Sequence, residues 1–168
     1  MDIISHALIG NIISLPQKKS RLWVIFFSVL PDLTQIPFFL YLGYLNARPF
    51  FFPLEKDWDG ARALHPFLNI IYEIPHSFFF VFLIILPIVL FFKLPKLAFF
   101  AYIFHLLIDL PTHTSGEWAM KPFWPFQYTF PGFTDAWAWP AYMLLISWIV
   151  LIAAAISLNP LFKNKEAE

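Results

Sequence analysis

His105 and Asp109 stand four residues apart inside the most apolar stretch of this chain, and Pro111-Thr112-His113 follows at once. On a helix that spacing puts both side chains on one face, about 6 Å apart along the axis. An imidazole and a carboxylate placed so can bind one metal ion or one polar substrate. The eight residues before them, Leu97 to Phe104, carry no charge. Ionisable groups in lipid or in a deep core cost roughly 2.5–3.5 kcal/mol each on insertion scales, so a fold keeps them only where something satisfies them. Asp32 follows Pro31 about ten residues into another apolar run, His76 opens a third, and His6 sits among Ile and Leu near the N-terminus. His113 and Glu117 lie in the loop just beyond Asp109.

Four such groups together would cost about 10–14 kcal/mol if left alone. A structural zinc site returns roughly 10–16 kcal/mol of apparent binding energy. The chain has no Cys, so a transition metal here has only His and carboxylate ligands. That donor set suits zinc, and also manganese, iron or nickel. Zinc with three protein ligands and an open position lowers the pKa of bound water to about 7, which is hydrolytic chemistry. A further carboxylate, Asp32 or Glu117, can then serve as general base. The expected metal ligands are His6, Asp32, His76, His105, Asp109 and His113, with zinc the leading ion.

These residues must be brought together by helices. Residues 2–15 read as a short helix with Asp2, His6, Gly10 and Ser14 in a narrow stripe at i, i+4 spacing. Such a segment is too short for about 30 Å of hydrocarbon, so it is expected to be re-entrant or interfacial. Residues 22–45 are long enough to span, with a kink or break at Pro31-Asp32 and Pro37. A more polar connection occupies 46–75, where Asp57, Asp59 and His65 read as solvated. Spans follow at 76–92, 97–110 and 137–158, with a Pro-rich aromatic loop at 112–136 and Asn159-Pro160 closing the last span.

Composition agrees with that reading. Of 168 residues 60% are hydrophobic and 13% charged, and mean hydropathy is +0.67. A soluble domain has about 45–50% apolar and about 25% charged residues. The 22 Phe, 7 Trp and 6 Tyr suit lipid and its interfacial belts. Net charge is zero, so no basic field points to nucleic acid. Asp2 stands where a signal peptide has its basic region, and none is expected. Lys18, Lys19, Arg21, Lys93, Lys96, Lys163 and Lys165 fall on one side of the arrangement, which the positive-inside rule makes cytoplasmic. The expected fold is thus all-α: a single polytopic membrane domain over 1–168 with about four transmembrane helices plus the short N-terminal helix. Membrane lipids are its expected surroundings and its C-terminus is expected in the cytoplasm; oligomeric state is not legible.

The ordered set Ser5-His6 with Gly10, Pro31-Asp32, His76-Ser77, His105-x3-Asp109 and Trp124-Pro125-Phe126 resembles a family of bacterial inner-membrane metal-dependent hydrolases. Their pattern runs Thr-His, Pro-Asp-x-Asp, His-Arg-Gly-x-Thr-His-Ser, His-x3-Asp and Leu-Trp-Pro-Phe. The resemblance covers roughly residues 1–126. This chain departs from it at Thr34, where the family has a second acid, and at Ile71, where it has an earlier His. His113 and Glu117 are candidate replacements. A more distant similarity to His/Asp-rich helical zinc phospholipases points the same way. The resemblance implies a metal-dependent hydrolase acting at the outer membrane face on a lipid-like or other ester or phosphoester substrate. The competing reading is a non-catalytic membrane protein whose His/Asp cluster is structural or serves ion transport.

Overall fold

The computed structural model describes residues 2–51, 55–65, 67–113, 119–130 and 132–163. Every regular element among them is helical, with no strand. Helix α1 runs Ile3–Ile13, α2 Arg21–Leu33 and α3 Ile36–Leu45. The polar connection at 46–75 holds two further helices, α4 Glu55–Leu64 and α5 Phe67–Glu73. Then come α6 Phe78–Phe91, α7 Lys96–Asp109 and α8 Ala141–Lys163. Helix α2 is central: α1 and α7 both pack against it and touch each other, while α8 lies against α1.

The helix breaks have identifiable causes. Pro31 near the end of α2 removes one backbone donor, and the chain bends by 44° before α3 resumes. Thr34 at the break donates its hydroxyl to the Pro31 carbonyl at 2.7 Å. A second bend, of 60°, separates α5 from α6 around Pro75-His76-Ser77. Inside α6 one π-turn, Val81–Ile85, precedes Pro87. A wider turn accommodates the proline ring, which cannot sit against the carbonyl four residues back. Pro160 does not close α8 as expected. The helix runs on to Lys163, which an exposed C-terminal turn tolerates at the loss of one hydrogen bond.

The expectation of about four spans requires correction. Among the described residues one helix, Ala141–Phe162, is by itself long and apolar enough to cross a membrane. The bent pairs Leu15–Leu33 with Ile36–Leu45, and Phe67–Glu73 with Phe78–Phe91, raise this to at most three. The expected span at 97–110 is α7, which has 14 residues. At 1.5 Å per residue that is about 21 Å, short of about 30 Å of hydrocarbon.

Helix α7 buries Ala98, Ala101, Tyr102, His105, Leu106 and Asp109. That stripe repeats at i+3 and i+4, the face of a packed helix. Tyr102 and Leu106 join Phe27, Val81, Ile85, Val89 and Met120 in the core, and Phe100, Phe104 and Leu107 on the opposite face are about half exposed. Helix α8 is apolar all round and largely uncovered, as a lipid-facing helix is.

Helix α1 is tied down at its first residue. Asp2 Oδ1 accepts from the backbone N–H of Ile4 and Ser5, both at 3.0 Å, and caps the helix. The same oxygen accepts from Trp148 Nε1 on α8 at 3.0 Å. Asp2→Ala is expected to lower stability by about 0.5–2 kcal/mol and to free α8 from α1. Asp2→Asn, which keeps the acceptor, should recover most of the loss in a detergent melting experiment.

Asp57 does not behave as solvated loop. Arg48 donates to both its oxygens, Nε to Oδ2 at 2.8 Å and Nη2 to Oδ1 at 2.7 Å. The Asp57 side chain is only 5% exposed, and this paired contact holds α4 against the end of α3.

Candidate metal centre

Both bends carry a candidate residue. Asp32 stands beside the first, His76 in the second, and His105 and Asp109 come from the last turns of α7. Packing of α2 against α7 brings the four together. One donor atom from each of Asp32, His76, His105 and Asp109 lies within 4.8 Å of the other three. The two imidazole Nε2 atoms are 3.4 Å apart. Asp32 Oδ1 is 3.6 Å from His76 Nε2 and 3.7 Å from His105 Nε2. Asp109 Oδ2 is 3.1 Å from His105 Nε2 and 3.9 Å from His76 Nε2. Tetrahedral zinc with bonds of about 2.0–2.1 Å requires ligand atoms about 3.3 Å apart, so this cluster is close to the size of an ion's coordination shell.

Hydrogen bonding decides which imidazole nitrogens face the cluster. His76 Nδ1 donates to the Tyr72 carbonyl at 2.8 Å, and His105 Nδ1 donates to the Ser28 carbonyl at 2.8 Å. A carbonyl only accepts, so each Nδ1 carries the hydrogen, and in the neutral rings each Nε2 offers a lone pair. With neutral rings, two lone pairs and two carboxylates point at one another in a nearly dry place, an arrangement that a bound cation, or a proton on one Nε2, would satisfy. A backbone carbonyl on the far nitrogen is also the usual support of a metal-ligating His. Asp32 Oδ2 is buried and has no hydrogen-bond partner among the described residues, as expected where an ion is meant to bind. The residues could hold a metal ion. His76, His105 and Asp109 are about 1% exposed, whereas the Asp32 side chain is 24% exposed.

His6 and His113 stand on the other side of Asp109, outside the group of four. His6 Nε2 is 3.0 Å from Asp109 Oδ1, and its ring stacks on His105 with centroids 3.7 Å apart. His113 Nδ1 is 3.2 Å from the Asp109 carbonyl and 3.6 Å from Oδ1. Glu117, the other expected general base, lies outside the described residues.

Several supporting residues carry no motif. Tyr102 donates its hydroxyl to the Pro75 carbonyl at 2.7 Å and ties the His76 bend to α7. Ser28 supplies the carbonyl for His105 and donates its hydroxyl to the His6 carbonyl at 2.9 Å. Ser77 Oγ donates to the Trp124 carbonyl at 3.1 Å, and Phe78 N to the Pro122 carbonyl at 2.8 Å. The Trp124-Pro125-Phe126 segment is thereby held beside His76. Lys121 bonds to the buried Glu73 at 2.5 Å and fixes the same loop to the end of α5. Tyr102 was findable in principle, since it lies three residues before His105 on the same helical face. Ser28 reaches His105 through its backbone carbonyl, which leaves no such signal.

Thr34 and Ile71, the two departures from the family pattern, are neighbours in space. Gln35 Nε2 donates to the Ile71 carbonyl at 3.0 Å and to Thr34 Oγ1 at 3.3 Å. Neutral hydrogen bonds occupy that position.

Comparison with known proteins is negative. No protein family, curated protein or solved structure matches this chain.

Proposed function

We propose that this chain is a multi-pass membrane protein that binds one divalent transition metal, zinc in the first place, and hydrolyses a lipid-like ester or phosphoester. The observation that carries the reading is the set of four inward acceptors, with both His Nδ1 atoms committed to carbonyls. In this reading His76, His105 and Asp109 are the buried ligands. Zinc in such a site acts as a Lewis acid and lowers the pKa of bound water to about 7. Asp32 would complete the ligand set, and its carboxylate beside the metal would be the group placed to act as general base toward water. The apolar walls keep bulk water out, which strengthens every charge interaction inside.

A cavity of about 590 Å³ between α3, α4 and α5, lined mainly by apolar side chains with Asn46, Lys56, Asp57 and His65 among them, is large enough for part of a lipid-like substrate. The ordered motifs shared with the inner-membrane hydrolases favour the same chemistry.

For the membrane topology, each bent pair serves as one span and Ala141–Phe162 as another. Helix α7 enters from the Lys93–Lys96 side and reaches only to the depth of the site, so a cytoplasmic C-terminus needs one more crossing between α7 and α8. The basic residues then favour the cytoplasm for both termini, with residues 46–66 outside. A Cys introduced as Lys56→Cys should react with an impermeant reagent on intact cells. Reaction only after permeabilisation would show the orientation to be inverted.

Elemental analysis of the detergent-purified chain tests the metal itself. About one equivalent of divalent metal is expected, together with chelator-sensitive hydrolysis within a panel of lipid esters and phosphoesters. Protein without metal, and with no thermal response to added zinc or manganese, would instead favour a structural or ion-conducting cluster.

A further inference from the structure

We propose that His6 is a positioning residue of the metal centre, holding Asp109 by Oδ1 so that Oδ2 faces His76 and His105. This rests on the metal-binding reading above. The two oxygens of Asp109 have different neighbours: Oδ1 lies 3.0 Å from His6 Nε2, and Oδ2 lies 3.1 Å from His105 Nε2. An ionised carboxylate only accepts, so His6 Nε2 carries the hydrogen of that bond. A nitrogen that donates to Asp109 has no lone pair left for a metal. In the neutral ring the remaining lone pair is on Nδ1, which is buried and has no hydrogen-bond partner among the described residues.

The His6 ring does a second thing. It lies flat against His105, with planes inclined by 26° and centroids 3.7 Å apart. The Ser28 carbonyl fixes one edge of His105, and His6 restricts the swing of its plane. His6 is itself held through its backbone, whose carbonyl accepts from Ser28 Oγ. One serine on α2 therefore orients both rings, and α1 sets the direction of a ligand on α7 without supplying one. Hydrogen bonds that orient ligands in this way typically change metal affinity 10–100-fold.

Three proteins decide the matter: wild type, His6→Phe and His6→Gln. Phe keeps a flat ring on His105 and removes the donor. Gln places an amide N–H near the position of Nε2 and restores the donor. Zinc affinity is measured by competition with a chromophoric chelator in detergent, and the imidazoles bound are counted by X-ray absorption. The wild type is expected to show two bound imidazoles. His6→Phe should bind zinc about 10–100-fold more weakly with the same two imidazoles, and His6→Gln should return to within about threefold of wild type. Unchanged affinity in His6→Phe would overturn the proposal. Loss of one imidazole in both variants, with no rescue by Gln, would overturn it by making His6 a ligand. Should His6→Phe fail to fold, His6→Gln decides alone: near-native affinity supports the role, and weak binding removes it. A wild type that binds no zinc defeats the metal reading and this assignment together, whereas failure of this assignment alone shows only in the variants.

Discussion

Asp109→Asn is expected to leave the protein folded and without metal. The amide nitrogen that replaces one oxygen can donate to an imidazole lone pair, so the buried cluster gains a donor where the native one has none. The cluster then no longer needs a cation. Bound metal should fall from about one equivalent to below about a tenth, and His105→Ala, His76→Ala and Asp32→Asn should give the same loss. Thermal melting supplies the second readout. A ligand present at about a thousand times its Kd adds about 4 kcal/mol to the native state, which for a chain of this size is a shift of roughly 10 °C. Chelation should lower the melting temperature of the wild type by about that much and leave Asp109→Asn unmoved. Four variants that keep full metal content and differ only in stability would refute the site. The His-x3-Asp pair would then be an interhelical hydrogen-bonded contact.

Gly10→Ala is expected to damage the same site from one helix away. A Cβ at position 10 would stand 2.2 Å from Ser28 Oγ, 2.8 Å from Ser28 Cβ and 3.1 Å from the Ile25 backbone Cα. Contacts under 3.0 Å cannot persist, so α1 must move off α2, or Ser28 must turn away from His6 and Ile25, whose carbonyls it now serves. Overpacking of this kind costs about 1–3 kcal/mol. His6, one turn before Gly10 on the same face, would lose its place over His105. Lower melting temperature and weaker metal binding should therefore appear together. Gly10→Ala combined with Ser28→Gly removes the two shortest contacts and should recover part of both, a coupling that a double-mutant cycle measures. Native melting and native metal binding in Gly10→Ala would show that α1 and α2 do not depend on this approach.

Much of the site could be read before any coordinates. His105 and Asp109 belong together because helical geometry alone puts i and i+4 on one face. The bend after Pro31 is covalent in origin, since proline lacks the N–H and its ring collides with the preceding turn. The stripe Asp2, His6, Gly10 and Ser14 marks the face of α1 that packs inward, and Ser14 and Gly10 are buried there with His6. The all-helical class follows from long apolar segments, each of which must satisfy its own backbone. The end of the third apolar segment was legible too: it reads as a span over 97–110 that stops before Pro111, and the α-helix ends at Asp109, two residues before that proline.

By itself the chain's sequence determined local matters: which segments are helical, where prolines break them, and which ionisable side chains lie in apolar surroundings. These depend on neighbours within about a turn or two, where periodicity and backbone chemistry act. Tertiary structure alone decided which of those side chains meet. Asp109 bonds to His6 across 103 positions of sequence, and His105 faces His76 across 29. The division between the four clustered donor atoms and the two outlying histidines is set by how closely α1, α2 and α7 approach. That distance depends on missing side-chain volume at Gly10, a turn of Ser28 and the angle at two helix breaks. None of these has a sequence period, because side-chain volumes on separate helices combine only when the helices pack.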